Sequence, residues 1–224
     1  MGWIYGELQD HEEAILLNAA GFEVARQEAE PEKESNALLN WADDLMALGR
    51  LDEAEAHLKQ VEQVVRNPRP QDRYMLWRYS QHLFHSYGEL WLAREDVEKA
   101  LTYADECLAL AEGSDSKKNI VKARRLRGQV FLAKHELAKA EPELATALDI
   151  AQEIGNPPQL WKTYVALGDL RQAQGQEAEA RSAYRGALAI IDGVAASLSN
   201  ELLRETFLGS DHVKSIRRVA SASS

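Results

Sequence analysis

A repeat of unusual regularity constrains this chain more than any other feature. A short polar box leading into an alanine occurs five times, as Asp10-His-Glu-Glu-Ala14, Arg50-Leu-Asp-Glu-Ala54, Asp96-Val-Glu-Lys-Ala100, Glu136-Leu-Ala-Lys-Ala140 and Gln176-Glu-Ala-Glu-Ala180. The alanines lie 40, 46, 40 and 40 residues apart, and twelve residues before each stands another small residue: Gly2, Ala42, Gly88, Gly128 and Gly168. Downstream of the alanine, apolar residues recur at helical spacing, as in Leu144, Ala147, Leu148 and Ala151 or Tyr184, Ala187, Leu188 and Ile191. Upstream, Leu90 and Trp91, Val130 and Phe131, and Leu167 and Leu170 mark the apolar face of a preceding helix. Each period is a helical hairpin, and such hairpins bury their apolar faces only by stacking on one another. The expected fold class is all-α.

The turns inside the hairpins are expected at Gly49, Arg94 to Asp96, His135 and Gly175, and the breaks between hairpins at Glu30-Pro31, Gly113 to Ser116 and Gly155-Asn-Pro-Pro158. The 46-residue interval places its extra length around Asn67-Pro68-Arg69-Pro70, with the next helix starting near Gln71. Pro142 falls about six residues inside a helix, where a local kink is expected. If Gly2 occupies the same register as the later glycines, the first hairpin is short, and its amino end, with Trp3, Ile4, Tyr5 and Leu8, lacks a cap. After Ser197 the pattern changes to Leu198, Leu202, Leu203, Phe207, Leu208, Val213 and Ile216, which suits a cap.

Tyr164, Leu167, Gly168, Gly175, Ala180, Tyr184 and Ala187 reproduce most of the tetratricopeptide-repeat signature, in which a small residue at position eight pairs with an alanine at position twenty. Arg171 replaces the aromatic residue usual at position eleven. The chain thus resembles the tetratricopeptide family, and its long period is similar to that of kinesin light chains and bacterial multidomain signalling regulators. The resemblance implies a right-handed α-solenoid of antiparallel hairpins with a C-terminal capping helix. It is expected as a single domain over residues 1–219, with units of about 1–30, 33–66, 71–113, 117–155 and 158–197, a cap at 198–219 and a disordered tail at 220–224. The string Glu201-Leu-Leu-Arg204-Glu-Thr-Phe207-Leu208 is similar to the segment that closes such regions downstream of a catalytic module, so the chain is read as a regulatory fragment of a larger signalling protein.

Composition narrows the chemistry. With 26 Lys and Arg against 36 Asp and Glu, the net charge is −10, which argues against general nucleic-acid affinity. The one basic run, Lys117, Lys118, Lys122, Arg124, Arg125 and Arg127, lacks interleaved aromatic residues and reads as a solvated helix. No apolar stretch is long enough for a membrane span and no secretory signal is visible, so a cytoplasmic location is expected. The chain has no phosphate-cradling glycine loop and no nucleophile elbow, and its one cysteine, Cys107, sits at a core register; neither an enzyme activity nor a cofactor is expected. Trp41, Trp77, Trp91 and Trp161 read as packing residues, whereas Trp3 does not.

In the tetratricopeptide register, the residues that line the concave groove are Asn36, Asn40 and Asp43, then His82, His85 and Glu89, then Lys122, Arg125 and Gln129, then Lys162, Asp169 and Gln172. Lys122, Arg125 and Lys162 suit a carboxylate, from an acidic side chain or a chain terminus. The expected function is a non-catalytic protein–protein interaction module that takes a partner segment in this groove. Two alternatives stand beside it: self-association as a homodimer through the open amino end, and metal or small-molecule sensing through His82, His85 and Glu89, whose spacing of three and four puts two imidazoles and a carboxylate on one helix face.

Overall fold

Each polar box forms the first turn of a helix, its leading residue the N-cap and its alanine one turn inside. The computed structural model describes residues 1–68 and 76–221, and among these it contains twelve helices and no strand. They divide into two compact units. The first, Met1–Ser114, holds α1 (Gly2–Glu7), α2 (His11–Gln27), α3 (Pro31–Ala47), α4 (Leu51–Arg66), α5 (Leu76–Ala93) and α6 (Val97–Gly113). The second, Asp115–Ser224, holds α7 (Lys117–Ala133), α8 (Leu137–Ile154), α9 (Pro157–Ala173), α10 (Glu177–Ser197), α11 (Glu201–Gly209) and α12 (Asp211–Ser221).

Within each unit every helix packs on the next. The first helices of successive hairpins also touch, α1 on α3, α3 on α5 and α7 on α9, as stacking of hairpins requires. The repeated alanines Ala14, Ala54, Ala100, Ala140 and Ala180 are all sealed, at 0–1% exposure. For the small residue twelve positions earlier, the nearest side chain at Gly2, Gly128 and Gly168 is the one four residues beyond this alanine. A Cβ on Gly128 would lie 2.5 Å from Leu144, one on Gly168 would lie 2.7 Å from the Tyr184 ring, and one on Gly2 would overlap Asn18. The glycines are therefore sockets for a side chain of the facing helix, and filling one would displace a packed neighbour.

The turn inside each hairpin is three residues long, and its middle residue is left-handed: Gln9, Gly49, Glu95, His135 and Gly175 have φ between 57° and 73°. At each, the N–H donates three residues back and the following N–H donates five back, as with Gly49 to Met46 and Arg50 to Leu45, both 2.9 Å. This paired stop satisfies the carbonyls at the helix end. The residue making the second bond is also the N-cap of the next helix, so no loop residue is spare.

Pro142 lies inside α8, which continues through it as one helix to Ile154. The Asn67 to Pro70 connection and the start near Gln71 fall partly on 69–75, outside the described residues. At the carboxyl end, α12 packs on α10 and buries Val213, Ile216 and Ala220, while Phe207 of α11 is also buried. Ala220, expected in a tail, is thus part of the packed helix, and the tail beyond Ser221 lies outside the described residues. Trp161 is buried, and Trp41 and Trp91 pack against the core of the first unit, but Trp77 is 51% exposed, contrary to its reading as a packing residue.

Candidate functional site

The residues expected in the groove lie on the first helices of the hairpins, α3 and α5 in the first unit and α7 and α9 in the second. Heptad-like burial leaves positions two and nine of each helix half-buried and polar: Asn36 and Asp43, His82 and Glu89, Lys122 and Gln129, Lys162 and Asp169. Between these positions burial is uneven: Asn40 and Val165 are half-buried, whereas His85 and Arg125, both expected in the open groove, are 3% and 5% exposed. Arg125 donates to Gln159 Oε1 at 2.9 Å and lies 3.4 Å from Thr163 Oγ1, joining α7 to α9.

In the first unit, Asp43 ties α3 to α5. It lies 2.7 Å from His82 Nε2 and accepts from Ser86 Oγ at 2.5 Å. Serine, histidine and aspartate meet here, with the carboxylate between the other two and Ser86 fully buried. His85 Nδ1 stands 3.3 Å from Glu89. His82 and His85 thus address different carboxylates instead of converging, and among the described residues no group of three or more His, Cys, Asp or Glu side chains is placed to hold a metal ion. Asn40 donates to the Asn36 carbonyl at 2.8 Å.

The second unit presents Lys122 on α7 and Lys162 on α9 at equivalent positions forty residues apart, with Lys118 exposed one turn before Lys122. Lys162 Nζ lies over Trp161, 5.5 Å from the ring centre. Asp169 and exposed Gln172 turn to the paired helix, where Tyr184 donates to Asp169 Oδ1 at 2.6 Å and lies 3.3 Å from Gln172. Burial pushes the Asp169 carboxyl above the usual range, with the Tyr184 hydrogen bond pulling it back.

A buried polar cluster that joins the first hairpin to the second has no counterpart among the sequence expectations. Asp44, 4% exposed, lies 2.9 Å from His11 Nδ1 and accepts from Asn18 at 3.0 Å. A Cβ on Gly6 would lie 2.5 Å from its carboxylate. Burial raises this carboxyl, while His11 draws it down. The one sequence signal was the glycine pair Gly2 and Gly6, a notch on one face of α1. Arg171 also finds its explanation. It donates to both oxygens of Glu141 at 2.6 and 2.5 Å, locking α9 to α8, and it holds the Glu141 carboxyl below its ordinary range. At the same register the earlier hairpins carry Trp91, with Lys99 Nζ 3.9 Å from its ring centre, and Phe131, with Lys139 at 5.7 Å. An aromatic ring faced by lysine is replaced in the last hairpin by arginine faced by carboxylate.

A family model described as tetratricopeptide repeat matches residues 119–192. The matched segment, about a third of the chain, is similar to tetratricopeptide repeats. Among solved structures, BtubC (BKLC) from P. vanneervenii matches over 96% of this chain and 93% of its own, with 18% identity and a TM-score of 0.59. Two structures of a putative kinesin light chain from Podosopora anserina, described as nearly identical TPR-like repeats, are also similar. One, a form with a single substitution, is 17% identical, covers 88% of this chain and 93% of that one, and has a TM-score of 0.54. The other is 16% identical, with coverage of 86% and 92% and a TM-score of 0.52. At these identities the likeness is one of fold. No curated protein matches the chain. Tetratricopeptide repeats generally mediate protein–protein interaction, and no described helix is long and apolar enough to cross a membrane.

Proposed function

We propose that the chain is a non-catalytic interaction module whose inner helix faces bind an extended segment of a protein partner. The observation that carries this reading is a pattern repeated on four helices: positions two and nine of α3, α5, α7 and α9 are all polar and only half-buried. A core has no use for that pattern, whereas a docked segment needs a row of accessible polar groups at repeat spacing to fix its register. In the second unit the row begins with Lys118, Lys122 and Lys162, and the favoured partner segment is acidic. Lysine ammonium groups on a rigid scaffold attract carboxylates with a strength that falls as salt rises.

Fluorescence anisotropy with labelled ten-residue peptides rich in Glu, in Ser and Gly, or in Lys tests this on the whole chain. The Glu-rich peptide is expected to bind best, to weaken between low and high salt, and to lose at least about tenfold in affinity in the Lys122→Glu, Lys162→Glu double variant. Binding that ignores peptide charge, or that survives the double reversal, would refute the acidic-segment reading.

A further inference from the structure

We infer that α12 serves the second unit as one further inner helix, and that His212 near its start adds a protonatable contact to the lysine row. The acidic segment is then held more tightly as the pH falls from 8 to 6, a role that rests on the proposed reading of that row as a face for acidic segments.

The place of α12 follows the pattern of the helices before it. α9 packs on α8 and touches α7, where Leu160 lies against the cluster of Val121, Ala147 and Ala151, and Arg125 reaches Gln159 and Thr163. One hairpin later, α12 packs on α10 and meets α9 at Trp161, forty residues after Val121. The His212 imidazole stands edge-on to the Trp161 ring, with 5.3 Å between centres, and the Lys162 ammonium lies 5.5 Å from the centre of the same ring. Imidazole and ammonium are thus no farther apart than those two distances together. Trp161 itself is 2% exposed, whereas Lys162 is half-buried and His212 exposed, so a segment lying on Lys162 has His212 within reach.

Histidine is the side chain whose charge ordinarily changes between pH 5 and 8, and its protonated ring donates from both nitrogens. Carboxylates, lysine and arginine keep their charges between pH 6 and 8. The charged groups that the packed elements bring toward the start of α12 are therefore constant. They are Lys162 of α9, Asp192 of α10, held by Arg217 at 2.9 Å, and Glu201, Arg204 and Glu205 of α11, the first two paired at 3.2 Å. On α12 itself, Asp211 precedes His212 and is turned about 100° around the helix from it, and Lys214 follows. Protonation of His212 thus adds one positive charge beside Lys162. Packed helices lie about 10 Å apart, so Lys122, Lys162 and His212 span about 20 Å, less than the roughly 33 Å length of ten extended residues.

Anisotropy of the labelled Glu-rich ten-residue peptide on the whole chain, at pH 8 and pH 6 and one low ionic strength, tests this. The wild type should gain about three- to fivefold in affinity at pH 6, the scale of one added exposed charge. His212→Gln should bind equally at both pH values, at the wild-type pH 8 level. His212→Lys should bind at pH 8 as tightly as the wild type does at pH 6 and lose the pH response; a gain of this kind cannot come from a failure to fold. Binding that is lost in the Lys122→Glu, Lys162→Glu double variant but ignores pH in the wild type would overturn the role of His212 and leave the acidic-segment reading standing. A pH gain that persists in His212→Gln would assign the response to another histidine and overturn it too. No binding of the Glu-rich peptide at either pH would remove the acidic-segment reading, and the role of His212 with it.

Discussion

Asp169 carries a charge into a helix pair that uses only its capacity to accept a hydrogen bond from Tyr184. Because burial raises its carboxyl, the folded chain holds that proton more tightly than the unfolded chain. Stability from this group is therefore present at low pH and lost as the pH rises through the folded-state value. Asp169→Asn removes the charge but keeps an oxygen for Tyr184. The variant is expected to melt above the wild type at pH 7, with the gap closing as the pH falls toward the ordinary Asp value of about 4; a gap of equal size at both pH values would count against it. Single residues of this kind were the least legible part of the sequence. Asp169 and Arg125 have the composition of a wet groove, yet one turns to Tyr184 and the other is buried against Gln159 and Thr163. Nothing in a one-dimensional register distinguishes a polar side chain facing solvent from one facing a neighbouring helix.

The helices and their turns were far more readable, because each rests on local geometry. The five left-handed turn residues recur at the repeat spacing although only two are glycine, so the paired backbone stop, rather than glycine itself, sets the turn. The non-glycine residues bear a steric cost at that backbone conformation. His135→Gly is accordingly expected to raise stability by about 0.5–1 kcal/mol, and Gly175→Ala to lower it by a similar amount, as measured by urea unfolding midpoints at constant slope. If both changes destabilise, the turn residue is held by contacts of its side chain. The sockets were half legible. The recurrence of small residues was visible, but the side chain that fills the notch at Gly2, Gly128 and Gly168, four residues past the alanine, depends on the stagger between antiparallel helices.

At the scale of the molecule, hairpins gather into two compact units, and the second carries its own terminal cover in α11 and α12. Each compact unit has its own internal packing, so residues 115–224 produced alone should keep a helical circular-dichroism spectrum and a cooperative thermal transition. A featureless melt would show that the second unit depends on the first. The sequence alone determined the helical class, the hairpin period and the buried register, because periodic burial repeats the same message at five places and averages out local exceptions. Only the tertiary structure decided which polar residues of the inner faces remain accessible, what Arg171 grips and that Asp44 is enclosed. Those outcomes depend on distances between side chains on different helices, most of them some twenty-five to forty residues apart in the chain.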